Sequence, residues 1–148
     1  MPDARPPTRR EVDVRGPRFA AWLTSAVLAV ALLTGSGALV TLQAAVFAVG
    51  AFAGLRYAPY GVLFRVLVAP LLGPVREREP EAPPRFAQLV GLVFAVVGAA
   101  GYLAGAPLIG AVATGLALVA ALLNAATGLC LGCELYLIVR RARPARTV

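Results

Sequence analysis

The sequence predicts an all-α integral membrane fold: four transmembrane helices as two tandem helical hairpins, each followed by a short interfacial helix. Three observations carry this. Hydrophobic residues make up 59% of the chain, charged residues 14%, and mean hydropathy is +0.80; a soluble domain carries about 45–50% apolar and about 25% charged residues. The charges fall in three blocks separated by long neutral stretches. Within each half, the neutral stretches are joined by turns too short to connect anything but antiparallel neighbours.

Residues 1–16 form a Pro- and Arg-rich arm with no apolar run, expected to stay flexible because it buries too little surface to offset its ordering entropy. A secretory signal would also begin with basic residues before an apolar run. The length of that run, and the second one that follows almost at once, argue against cleavage. The membrane domain is placed at 17–141. Its first crossing covers about 19–35, a neutral run long enough at about 1.5 Å per residue for a hydrocarbon core of roughly 30 Å. Gly35, Ser36 and Gly37 turn the chain into a second crossing at about 38–55.

Arg56, Pro59, Arg65 and Pro70 interrupt the next apolar stretch. In lipid they would strand charges and unpaired carbonyls, so an interfacial helix at about 59–72 is expected. A cytosolic linker at 74–85 follows, then crossings at about 86–104 and 108–127 around a turn at Gly105-Ala106-Pro107. A single helix from Leu108 to Arg141 would be about 50 Å long, so a break is expected near Thr127-Gly128. A second interfacial segment then runs over about 129–141, and 142–148 form a cytosolic tail.

The sequence has fourteen basic residues, all arginine, against seven acids. Every arginine lies within the first 18 residues, the 56–85 connection or the C-terminal end, and none in the two glycine turns. The positive-inside rule then puts both termini in the cytosol and the protein in the plasma membrane, with the lipid bilayer as its first partner. Pro17-Arg18-Phe19-Ala20 recurs as Pro84-Arg85-Phe86-Ala87, 67 residues later, each copy opening a hairpin. This reads as an internal duplication with a pseudo-two-fold axis along the membrane normal.

Composition also limits the chemistry. There is no histidine, and two cysteines cannot build a disulfide framework. No Walker loop, nucleophile elbow or HExxH pattern occurs. No cofactor, metal site or nucleic-acid partner is expected, and enzymatic activity is left open. A structural zinc would need Glu134 plus another group, or ligands from a second subunit.

The strongest constellation spans Asn124, Gly128, Cys130, Gly132, Cys133, Glu134 and Tyr136. Cys130 and Cys133 share a face if the segment is helical, close enough to bond or to hold a mixed disulfide. A helix beginning near Cys130 would favour its thiolate. Glu134 is the one acid within this apolar stretch and a functional candidate. It could accept a thiol proton or pair with Arg140 or Arg141, although its charge opposes a nearby thiolate. Packing is the competing role, since cysteine behaves as a small hydrophobe and Gly128 to Gly132 has small-xxx-small spacing. Gly50 to Gly54 and Gly101 to Gly105 repeat that spacing and make a homodimer conceivable. Gln43 and Asn124 suit interhelical hydrogen bonding, while Arg56, Arg65, Tyr57 and Tyr60 suit an interface.

VDVRGPRFAAWLTSAVLAVALLTG at the first crossing, PPRFAQLVGLVFAVVG at the third and LNAATGLCLGCELYLIVRR near the end together resemble the bacterial domain-of-unknown-function family four-three-nine-five, over about residues 12–141. The C-terminal block, with Cys130, Cys133, Glu134 and Tyr136, carries the most specific part. The resemblance implies a small integral membrane protein working near thioredoxin-like or rhodanese-like sulfur-handling partners. The resulting expectation is a cytosol-facing cysteine pair, a dithiol at rest, that exchanges disulfide, persulfide or electrons with a soluble partner. The alternative is a non-catalytic membrane scaffold or a subunit of a small-solute transporter.

Overall fold

The computed structural model describes residues 11–143. In chain order the elements are β1 (Glu11–Asp13), α1 (Arg15–Thr34), α2 (Gly37–Ala53), α3 (Pro59–Leu72), β2 (Arg78–Pro80), α4 (Ala82–Leu103), α5 (Pro107–Thr127) and α6 (Leu131–Ala142). Apart from a two-stranded ribbon the fold is helical, and α1, α4 and α5 are long and apolar enough to cross a membrane. Large apolar side chains such as Leu33, Leu71, Leu103 and Leu108 stand exposed on the outer faces, as in a protein whose surroundings are lipid.

The turns form where the sequence places special residues. Gly35 closes α1 in the left-handed region at φ 64°, and the Ser36 hydroxyl then accepts Leu39 N–H at 3.2 Å to cap α2. Gly105, at φ 82°, precedes Pro107, the first residue of α5. Gly128, at φ 77°, ends α5 and delivers the break expected there.

Helix contacts run through small residues, because they let backbones approach closely where lipid supplies no hydrophobic drive between helices. A Cβ on Gly101 would lie 2.5 Å from Gly110 N, on Gly91 2.9 Å from the Phe47 ring, and on Gly98 2.7 Å from Thr114 Oγ1. The buried centre between α1, α2 and α4 consists of Ala31, Val40, Ala44, Phe47, Ala95 and Ala99. Gln43, fully buried, donates to Thr24 Oγ1 at 3.4 Å and accepts the Tyr60 hydroxyl at 2.7 Å. It thereby ties α1, α2 and α3 together in the hydrogen-bonding role expected of it.

The repeated Pro-Arg-Phe-Ala segments make matching contacts. Arg18, near the start of α1, donates to Ala125 O at 3.0 Å and Ala126 O at 3.1 Å, at the end of α5. Arg85, near the start of α4, donates to Ala51 O at 2.7 Å and Phe52 O at 2.8 Å, at the end of α2. Each guanidinium therefore closes the hairpin of the other half. Phe19 packs on Phe64 of α3 and Phe86 on Tyr136 of α6, with ring centroids 5.7 Å apart in both pairs. Arg15 adds a third closure, donating to Leu72 O at 3.2 Å and Gly73 O at 3.4 Å beyond α3. Unpaired carbonyls at a helix C-terminus carry partial negative charge, so a guanidinium fork there satisfies both hydrogen bonding and dipole.

Two elements differ from expectation. The arm, read as flexible through residue 16, is ordered from Glu11: β1 pairs antiparallel with β2, Glu11 opposite Pro80 and Asp13 opposite Arg78. The alternating charges of the linker thus find partners instead of water alone. Asp13 and Arg15 form an ion pair at 2.8 Å, and the Arg15 hydrogen bond holds the Asp13 carboxyl below its ordinary pKa. Burial beside Glu77 raises that of Glu79. The outer arm, 1–10, and the end of the tail, 144–148, lie outside the described residues. The second difference is α2, which is shorter than the other long helices. Its last turn widens so that Gly54 N–H reaches Val49 O at 3.2 Å, five residues back, and the helix ends at Gly54 with φ 107°.

These contacts predict two stability effects, measured by unfolding the full chain in lipid-like micelles with circular dichroism. Arg85→Met should destabilise by about 1.5–3 kcal/mol, the scale of a lost charge-assisted hydrogen bond, and Arg85→Lys should recover only part because it lacks the fork. Gly101→Ala should cost about 1–3 kcal/mol by overpacking against backbone, whereas Gly115→Ala should be neutral or stabilising because a Cβ there meets nothing within 4 Å.

Candidate functional site

The cysteine pair sits where α5 gives way to α6. Gly128 takes the left-handed conformation that stops α5, and Leu129 N–H donates to Thr127 Oγ1 at 3.3 Å. Cys130 then adopts an extended backbone, φ −92° and ψ 105°, as the N-cap of α6. Its Sγ accepts Cys133 N–H at 3.2 Å, the place a serine or aspartate oxygen takes in an ordinary cap. The expected helix start beside Cys130 is therefore present, with free amides and the positive end of the helix dipole directed at that sulfur.

Cys130 and Cys133 are joined as a disulfide with Cα atoms 5.1 Å apart, and both are half-buried. The sequence-based expectation was a resting dithiol, so the structure presents the oxidised partner of that couple. One turn of helix brings the two sulfurs together.

The rest of the constellation divides by role. Glu134 lies exposed in the first turn of α6, its N–H donating to Cys130 O at 3.0 Å. Arg140 and Arg141 occupy the last turn, exposed, where cations oppose the negative end of the helix. Among the described residues Glu134 pairs with neither: Arg140 and Arg141 lie more than a turn and a half further along the helix, beyond the reach of i,i+4 pairing. Asn124, half-buried, contributes its main-chain carbonyl, which accepts Gly128 N–H at 2.9 Å.

Gly128 and Gly132 do not act as one packing pair. Gly128 has open space around it and serves as a turn, while a Cβ on Gly132 would lie 2.5 Å from Ala87 Cβ on α4. Gly50 and Gly101 likewise make close approaches while Gly54 and Gly105 end helices at positive φ. Together Gly132 against Ala87 and Tyr136 against Phe86 dock α6 on the start of α4 and fix the position of the sulfurs. Ala87 was not singled out by sequence reasoning, although it belongs to the repeated Pro-Arg-Phe-Ala segment. Glu81 was missed too: it is buried, and its Oε1 accepts Leu55 N–H at 2.9 Å just beyond α2. Its place at the end of a charge-rich linker gave no sign of burial.

Gly132→Leu should push α6 off α4 while leaving α1 to α5 in place. The expected readout is faster alkylation of the reduced cysteines by maleimide, with little change in helix content by circular dichroism.

Comparison with curated proteins and with solved structures gives no match. The family model described as Domain of unknown function (DUF4395) matches residues 12–141, nearly the whole described chain and all of the site, and the protein belongs to that family.

Proposed function

We propose that this is a plasma-membrane protein with four crossings and both termini in the cytosol, whose cysteine pair exchanges disulfides with a soluble thioredoxin-like or rhodanese-like protein. Helix α2 crosses as the shorter partner in this reading. It packs along α4, and bilayer thinning or tilt accommodates a span a few ångströms short. The starts of α1 and α4 and the ends of α2 and α5 are held together by Arg18 and Arg85, so the arginine-bearing end is one side of the bundle. Helix α6 carries Leu131, Leu135 and Ile138 exposed alongside Glu134, Arg140 and Arg141, the make-up of a helix lying in the interface.

The observation that carries the chemical reading is Cys130 at the N-cap with Cys133 N–H directed at its sulfur. In the reduced protein that amide and the helix end favour a Cys130 thiolate, making it the attacking group and Cys133 the resolving one. Cys130 S⁻ attacks a partner disulfide, forming a mixed disulfide and releasing one partner thiolate. Cys133, losing its proton, then attacks Cys130 Sγ, closing the Cys130–Cys133 bond and releasing the second partner thiolate. The partner gains two electrons and this chain loses them; in reverse, the chain's disulfide oxidises a partner dithiol. In this reading Glu134, exposed in the first turn of α6, and bulk water are the acceptors for the Cys133 proton.

The second reading, a scaffold or transporter subunit, draws on the tight Gly132 to Ala87 contact, which gives the segment a packing role whatever the sulfurs do.

With membranes from cells producing the full chain, a membrane-impermeant maleimide should label both thiols after reduction, only from the cytosolic side, and neither before reduction. Cys133→Ser should accumulate a mixed disulfide with the partner that Cys130→Ser does not form. Thiols that stay unreactive under every condition, or full complementation by Cys130→Ala with Cys133→Ala at normal abundance, would overturn exchange in favour of the scaffold.

A further inference from the structure

A cavity of about 490 Å³ opens at the arginine-bearing end of the first half, bounded by α1, α3, the β ribbon and the start of α4. No residue of α5 or α6 lines it, so it is separate from the cysteine pair. Its size lies within the range of small-molecule sites. Most of its wall is apolar, with Val12, Ala20, Val46, Leu55 and Phe64 among the lining side chains.

The charged groups around it are not evenly available. Asp13 is held by Arg15 at 2.8 Å, Glu81 Oε1 accepts Leu55 N–H, and Glu11 has an interaction of its own. The Tyr60 hydroxyl is given to Gln43. Arg56 and Arg65 keep most of their donors: Arg65 gives one N–H to Arg56 O and Arg56 lies over the Tyr57 ring at 5.8 Å, while Arg78, opposite Asp13 in the ribbon, has part of its charge met by that carboxylate. A guanidinium has five N–H donors in a fork that matches carboxylate and phosphate.

We infer that this cavity binds an amphiphile with an anionic head and an apolar chain, its head held by Arg56, Arg65 and Arg78 and its chain between α1 and α3. A lining of apolar side chains together with arginines suits neither a free inorganic anion, which would leave the apolar walls wet, nor a lipid without net negative charge, which would give the guanidinium groups no net counter-charge. Such a ligand arrives either as a membrane phospholipid placing one chain in the cavity or as a free single-chain species.

The test uses the full chain purified in a neutral maltoside and observed by native mass spectrometry, with dodecyl phosphate, phosphatidylglycerol, phosphatidylcholine and inorganic phosphate added separately. Retention of one dodecyl phosphate per chain, weakened by about tenfold or more in Arg56→Gln with Arg65→Gln, supports the inference. Ala20→Phe, which fills the apolar part, should weaken it while leaving the arginines in place. Should Ala20→Phe fail to fold, the arginine variant decides. Preferential retention of phosphatidylglycerol over both phosphatidylcholine and dodecyl phosphate assigns the lipid source, and the converse assigns the single-chain source. Equal retention of phosphatidylglycerol and phosphatidylcholine, binding of inorganic phosphate alone, or unchanged retention in the arginine variant would overturn it.

Discussion

Main-chain carbonyls at helix ends must find donors, and in this chain guanidinium groups supply them. A helix leaves its last carbonyls unpaired, and a donor from another element satisfies them while tying the two elements together. Arg15, Arg18 and Arg85 reach the ends of α3, α5 and α2 respectively, each with more than one donor. At these three positions lysine would not serve, since an ammonium is a point charge that cannot span two successive carbonyls as a fork does.

Around this frame, glycine divides into two trades. At Gly101, Gly91 and Gly132 the missing side chain lets another helix approach to contact, whereas Gly35, Gly54, Gly105 and Gly128 supply positive φ where the chain must turn. The division reaches the cysteine pair, which depends on Gly128 to end one helix and Gly132 to seat the next. The sulfurs therefore occupy a position set by helix packing rather than by loop conformation.

The helical stretches and their turns were legible in the sequence because neutral runs, Gly35, Ser36, Gly105, Pro107 and Gly128 act locally, and hydropathy needs no tertiary information. The start of α6 beside Cys130 was legible for the same reason. The ribbon was not: Glu11, Asp13 and Arg78 pair across more than sixty residues, and their composition is that of solvated chain. Nor could spacing alone separate a packing glycine from a turning one, since Gly128 and Gly132 look alike until Ala87 is placed against one of them. The repeated Pro-Arg-Phe-Ala segment was visible as a pattern. That its arginines would act on the opposite hairpins depends on how the halves embrace, which no linear pattern records.

That embrace makes the two halves depend on each other. Arg18 serves the second hairpin and Arg85 the first, so a lone half would leave its own final turn bare and carry a clasp with nothing to hold. Neither hairpin is self-sufficient: each is sealed by its sibling, so the two stand or fall as one unit.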